Sequence, residues 1–326
     1  MESRLSMIRS LPIAITEKLH TVDVLMHRQA ENYHFDLQSA LHHLLSSGGK
    51  RVRPMLTLLI GDMLGGPSDR LITLAAAIEL LHTGTLVHDD LIDGSLLRRG
   101  IATLNSQWTP GATVLTGDFI LARAARLASD TDSIPVMSLF STTLGIIVNG
   151  EINQMFAGRC VTSRSDYFSR IFAKTGSLFE MAATSAALIS EASLEVTDSM
   201  KRFGHDIGMA FQIMDDILDF TADPSILGKP VGNDLRQGLV TLPAIFFTEM
   251  YPEHPFSQAL LSGKCLSIPQ IEDLVPELKS SGAIGRAHAE ARQYVTNGLQ
   301  ALQIAPECPE RQALVELAEY FVNRVL

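Results

Sequence analysis

Apolar stretches of helical period follow one another along this chain and leave little room for any other element. VRPMLTLLIGDML, RLITLAAAIELLHTGTLVHDDLID, VMSLFSTTLGIIVNGEINQM, YFSRIFAKTGSLFEMAATSAALI and RFGHDIGMAFQIMDDILDF are rich in Ala, Leu and Met and lack period-two alternation. Several are apolar on more than one face, which a helix tolerates only when it is buried among other helices. Turn residues separate them at Gly65-Gly66-Pro67, Gly94, Thr109-Pro110-Gly111, Pro135, Ser163 and Pro224. The pattern predicts a single all-α domain over 1–326, a bundle of long helices, with loops near 94–111, 221–242 and 252–268. The helices beyond Pro269 read as amphipathic and chemically uninformative.

Into two of these helices the sequence writes the same acidic pattern, Asp89-Asp90-Leu-Ile-Asp93 and Asp215-Asp216-Ile-Leu-Asp219. At that spacing Asp89 shares a helix face with Asp93, and Asp215 with Asp219. A solvated helix end is the ordinary reading of one such motif. Two arguments stand against it here. Unpaired carboxylates in apolar sequence are costly. Both sets also precede helix stops, Gly94 and Pro224, where the helix dipole disfavours negative charge by about 0.3–1 kcal/mol per group. Divalent cations held between two such faces reverse that sign, and carboxylate oxygens with room for a polyphosphate suit Mg²⁺.

An anionic ligand on a chain of net charge −10 needs local cations, and that charge makes nucleic acid an unsuitable partner. Five basic spots stand out, most of them beside predicted helix ends. Gly48-Gly49-Lys50-Arg51-Val52-Arg53-Pro54 is a glycine turn followed by cations and a helix-starting Pro. Arg98-Arg99 follows the first acidic helix, and Lys229 the second, in a loop without Walker spacing. Lys174-Thr175-Gly176 sits inside a helix, where Thr and Gly together open a kink and release a carbonyl. His82 lies seven residues before Asp89, on its face; elsewhere it would read as a core histidine. Metal plus diphosphate is the simplest ligand that uses all of these groups.

The segments GGKRVRP, ELLHTGTLVHDDLIDGSLLRRG, the GD of LTGDFILARA, GEINQ, KTGSLFE, FQIMDDILD and GKPVGNDLRQGLVTLP, in that order, resemble the trans-isoprenyl diphosphate synthases, the polyprenyl synthetase family. The resemblance runs from about Gly48 to Pro243. It implies long helices around a deep central cavity, a homodimer, and head-to-tail condensation of isopentenyl diphosphate with an allylic diphosphate. It also implies about three Mg²⁺ ions per active site. By position, Asp89 and Asp93 would hold two of them and Asp215, supported by Asp219, the third, with Asp90 and Asp216 in support. Arg98, Lys174 and Lys229 would hold the allylic diphosphate, and Lys50, Arg51, His82 and Arg99 the isopentenyl diphosphate, with Phe211 against its hydrocarbon. The Lys174 carbonyl, Thr175 and Gln212 would face the allylic cation.

One departure concerns Leu239, where many short-chain members carry Lys. Small residues at Gly84 and Thr85, below the first motif, imply a longer product than farnesyl or geranylgeranyl diphosphate. A helix from Ser68-Asp69 to Asp89 gives roughly 30 Å of depth, enough for about six to eight units in the product. Phe140 is the candidate floor. A terpene cyclase or a non-catalytic partner subunit are the other readings; the second aspartate motif and the retained cations speak against both. Cys160, Cys265 and Cys308 show no disulfide framework and read as thiols of a cytoplasmic protein. The N-terminus reads as an amphipathic helix, and no uncharged apolar run of membrane-spanning length is present, so no membrane span is expected.

Overall fold

The structure is a computed structural model that describes residues 11–46, 49–98, 100–156, 160, 163–222 and 230–323. It divides into two compact units: 1–144, 178–201 and 302–317 form the first, and 145–177, 202–301 and 318–326 the second.

In the first unit, α1 (Ile13–His27), α2 (Phe35–Ser46), α3 (Val52–Met63), α4 (Ser68–Ile92) and α6 (Pro110–Ser129) make the frame, with the one-turn helix α5 (Leu104–Gln107) before α6. Every residue from Leu74 to Leu81 of α4 is buried. A Leu or Ile enclosed in this way contributes about 1.5–3 kcal/mol relative to exposure, so this stretch anchors the unit and carries its last turns outward from a fixed base. The helix starts at Ser68, as the sequence predicts, but the cap position belongs to Pro67 and no side chain caps it.

At its other end the N–H of Ser95 donates to the Asp90 carbonyl and that of Gly94 to Leu91, at 2.9 and 3.3 Å. With Gly94 at φ +63° this is a Schellman stop, which requires a residue free to turn left-handed. The 94–111 stretch, read as loop, holds a small antiparallel ribbon, β1 (Leu97–Arg98) on β2 (Ile101–Ala102), paired Leu97 to Ala102 and Arg98 to Ile101. Two-residue strands carry too little pattern to be legible in a sequence.

Helix α7 (Ile134–Phe156) contributes residues to both units. The second unit holds α8 (Arg164–Ile171), the start of α9 (Ser177–Ile189), most of α10 (Leu194–Thr221), and α11 (Asn233–Arg236), α12 (Leu242–Met250), α13 (Pro255–Leu261) and α14 (Ile268–Ser280). Most of α15 (Ala283–Leu302) belongs to it, and α16 (Pro309–Asn323) is shared between the units. Between α8 and α9 the chain makes a π-turn, Phe172–Gly176, in which the Ser177 N–H donates to the Phe172 carbonyl five residues back. This is the interruption that Lys174-Thr175-Gly176 predicts.

One expectation is corrected. Cys160 and Cys265 form a disulfide, with Cα atoms 5.4 Å apart, and Cys308 is the remaining thiol. The pairing joins residues 105 apart in the chain, a proximity that only the fold creates and spacing cannot reveal. Helices α4 and α7 are each long and apolar enough to cross a membrane by length and composition alone. The apolar window of α4 is mostly buried in the protein, whereas that of α7 is mostly not.

Candidate active site

The two aspartate motifs are built alike. In the first, Asp89 is half-buried and Asp93 exposed, while Asp90 is buried with its side chain turned into the protein. There Asp90 accepts a forked pair of bonds from Arg98: Nε lies 2.8 and 2.9 Å from its two oxygens and Nη2 2.8 Å from Oδ1. A planar guanidinium on a carboxylate is directional, so Asp90 fixes where the β1 ribbon presents its arginine. In the second motif Asp215 and Asp219 are half-buried and Asp216 is buried.

Asp216 accepts from the Tyr167 hydroxyl at 2.7 Å and from Gln212 Nε2 at 2.8 Å. Burial pushes its carboxyl up to about 7, against those two hydrogen bonds, which hold it down. Burial, and then the charge and hydrogen bond of Asp216, push the Tyr167 phenol well above its usual range. Gln212 Oε1 in turn accepts from the Thr175 hydroxyl at 2.7 Å.

Asp219 does a second job. Its oxygens accept the N–H groups of Asn233 and Asp234, both at 3.2 Å, and its carbonyl accepts Gly232 N–H at 2.9 Å. It therefore caps α11 and ties the segment after the motif back to α10.

The predicted cations divide. Lys50 is exposed, whereas Arg51 sits at φ +49° with its guanidinium held by Asp23 at 2.8 Å, Glu79 at 3.0 Å and the Leu45 carbonyl at 3.2 Å. Arg53 is buried with its guanidinium 4.9 Å from the centre of the Phe179 ring. Lys174 pairs with Glu151 of the GEINQ segment at 2.9 Å. Arg99 and Lys229 lie outside the described residues.

His82 is half-buried, and its carbonyl accepts from Thr85 Oγ1 at 2.8 Å. Phe211 packs edge-on to Phe321, centroids 5.0 Å apart. Phe140 is on the buried stripe of α7 with Val136 and Thr143. Gly84 lies where α4 meets α6: a Cβ there would stand 2.8 and 2.9 Å from Leu121 Cδ2 and Cγ. The half-buried Leu239 donates its N–H to the Asp234 carbonyl at 2.8 Å.

Sequence reasoning passed over Asp23, Glu79, Glu151 and Tyr167. Glu79 had a signal, since an acid inside an apolar helix demands a cation. Tyr167 had none, because a tyrosine on an amphipathic helix is unremarkable until its partner is known.

Comparison with known proteins settles the kinship. A family model described as polyprenyl synthetase matches residues 35–274, which include both motifs. The chain belongs to the polyprenyl synthetase family. As a member of this family of trans-isoprenyl diphosphate synthases it is a trans-prenyltransferase. It is 38% identical over 294 residues to an all-trans-nonaprenyl-diphosphate synthase, geranyl-diphosphate specific, of Rhodobacter capsulatus, covering 89% of each chain.

Among solved structures, the heptaprenyl diphosphate synthase of Staphylococcus aureus matches with a TM-score of 0.89 at 32% identity, over 95% of this chain and 98% of the other. A polyprenyl synthase from Caulobacter crescentus, complexed with calcium and isoprenyl diphosphate, matches with a TM-score of 0.88 at 30% identity, over 95% of each chain.

The side chains fit the divalent cation that this family uses. Among the described residues no three His, Cys, Asp or Glu side chains gather into a ready-made cluster. Carboxylates in small number leave coordination positions for water and phosphate, which is how Mg²⁺ is ordinarily held.

Proposed function

We propose that this chain condenses isopentenyl diphosphate with an allylic diphosphate, head to tail, and repeats the step to give an all-trans polyprenyl diphosphate of about six to eight units, the length a helical wall of roughly 30 Å accommodates. The seven-unit product named for one relative lies inside that range and the nine-unit product named for another just above it, and both favour it over a farnesyl or geranylgeranyl product. The observation that carries the reading is the repeated arrangement of acids: the middle member of each motif is buried on a partner, and the outer members are less buried than it is. Residues 1–326 act as one catalytic domain, a reading supported by a family match that includes motif residues of both units.

In this reading Asp89, Asp93 and Asp215, with Asp219, hold about three Mg²⁺ ions, which neutralise the leaving diphosphate. Arg98, oriented by Asp90, takes a phosphate oxygen, as do Lys174 and Lys229. Lys50, His82 and Arg99 serve the second diphosphate, and Phe211 its hydrocarbon. Arg51 shapes the turn that presents Lys50, because its own charge is already met by Asp23 and Glu79. The allylic carbon–oxygen bond breaks, and the alkene of isopentenyl diphosphate forms the new carbon–carbon bond. The proton then lost goes to the departed diphosphate. Thr175, Gln212 and the Lys174 carbonyl direct oxygens at the developing cation.

Exposed apolar residues support a homodimer. Val114 and Leu115 of α6 and Ile134 of α7 lie on the first unit, and Val148, Ile152, Met155 and Phe156 of α7 on the second. A second copy covering them would also account for α7 without a membrane span. We place the enzyme in the cytoplasm; the Cys160–Cys265 bridge is the one feature that argues for an oxidising compartment.

The test is incubation of the purified chain with labelled isopentenyl diphosphate, an allylic primer and Mg²⁺, followed by sizing of the dephosphorylated products. Long polyprenols are expected; no incorporation of label with any allylic primer would overturn the reading.

A further inference from the structure

We propose that Tyr167 and Asp216 are positioning residues that set the direction of a hydrogen-bond chain ending at Thr175, so that the Thr175 hydroxyl turns its lone pairs, and not its proton, toward the reacting allylic carbon. The inference rests on the proposed prenyl transfer and names a control over it.

The chain runs Tyr167, Asp216, Gln212, Thr175, with separations of 2.7, 2.8 and 2.7 Å, all within the second unit. Its direction follows from which groups can donate. Tyr167 is buried, and its hydroxyl donates to Asp216 Oδ2. Both oxygens of Asp216 accept, Oδ2 from Tyr167 and Oδ1 from Gln212 Nε2, so the Gln212 amide is turned with its nitrogen toward Asp216. The Gln212 carbonyl oxygen then faces the other way, where it accepts from Thr175 Oγ1. A hydroxyl has one proton. With that proton spent on Gln212, Thr175 has only acceptor character left to offer.

The π-turn determines where that character lies. Thr175 is one of the five residues of Phe172–Gly176, buried, and its side chain reaches α10 at Gln212. The turn is closely packed: a Cβ on Gly176 would stand 3.1 Å from both Met209 Sδ and Phe172 Cδ2. A carbon that becomes cationic is stabilised by lone pairs held in place beforehand and opposed by a proton held in place. Hydrogen bonds in series in a low-dielectric interior polarise one another in a single direction, so the sign at Thr175 is decided at the Tyr167 end of the chain of bonds.

Asp216→Asn tests this by reversing the chain. Tyr167 still donates, to the new amide oxygen; the new amide nitrogen then faces Gln212, which must present its oxygen. Gln212 then turns its nitrogen to Thr175, and the Thr175 proton is released outward. The expected result is a kcat lowered roughly 30- to 100-fold, with KM for either substrate within about threefold, because the loss falls on the transition state. Gln212→Glu combined with Asp216→Asn restores the original direction with the same formal charge: the amide introduced at position 216 donates to the carboxylate introduced at position 212, which again accepts from Thr175. That double variant should recover at least about tenfold over Asp216→Asn in kcat. Tyr167→Phe, nearly isosteric and suited to the case in which Asp216→Asn does not fold, should lower kcat about three- to tenfold with KM unchanged.

Wild-type turnover is read first. No polyprenyl product from the wild type would count against the proposed function. An active wild type with unchanged kcat in both Asp216→Asn and Tyr167→Phe, or a double variant no better than Asp216→Asn, would overturn this inference alone.

Discussion

Thr85→Phe should shorten the product while leaving the first condensation intact, and the helix geometry says why this position and not its neighbour. At about 100° per residue, Thr85 lies only about 40° around α4 from Asp89, whereas Gly84 lies about 140° away. Gly84 accordingly faces α6, where a Cβ would already press on Leu121. Thr85 is half-buried, on the Asp89 side. Four residues at about 1.5 Å place it roughly 6 Å below the metal end, a little more than one isoprene unit. A phenyl ring there fills the lane of the growing tail and should stop it at about two to four units. A packed wall does not dilate to let the tail pass.

Gly84→Phe, by contrast, inserts a ring into the α4–α6 contact, and overpacking of that kind typically costs about 1–3 kcal/mol. The assay pairs radiolabelled product sizing with thermal melting. Thr85→Phe should shift product length at nearly constant Tm. Gly84→Phe should lower Tm by several degrees, at about 2–4 °C per kcal/mol for chains somewhat shorter than this one. An unchanged product distribution from active Thr85→Phe would show that the tail does not pass along the Asp89 face of α4.

Other outcomes follow from the site. Asp89→Asn and Asp215→Asn should each reduce turnover by about 10²–10³ at limiting Mg²⁺ without loss of fold, since each replaces a half-buried carboxylate near a helix C-terminus by a neutral isostere; near-normal kcat in either would refute its metal role. Lys50→Ala should raise KM for isopentenyl diphosphate at unchanged Tm. Arg51→Ala should lower stability by about 3 kcal/mol, because it leaves Glu79 buried without its cation; chemical denaturation reads the difference. Alkylation of the unfolded, unreduced protein should label only Cys308 and, after reduction, all three cysteines, and three labels before reduction would deny the Cys160–Cys265 bridge.

Much of this was legible in the sequence because it is local. The all-α class follows from helical periodicity, the start of α4 at Ser68 from turn residues, and the π-turn from Thr175 and Gly176 beside Lys174. What was not legible depends on residues distant in the chain. Lys50 and Arg51 look equivalent side by side. They differ because Asp23 and Glu79 arrive from α1 and α4 to take one of them. The disulfide and the Tyr167–Asp216 bond are meetings of the same kind, across 105 and 49 positions, and neither partner shows any sign of the other until the chain has folded.

The buried middle acid of each motif has a consequence for how such a chain can change over time. Asp90 is tied to Arg98 and Asp216 to Tyr167 and Gln212, so neither is free to drift as an isolated letter of its motif. Replacing Asp90 strands an arginine, and replacing Asp216 reorients a glutamine, whatever happens at the metal. The heritable unit is therefore the acid together with its partner. Descendants that lose the middle aspartate should be found to have altered residue 98 in the first motif, or residues 167 and 212 in the second. Asp219 is bound in the same way, since its oxygens also hold the first N–H groups of α11.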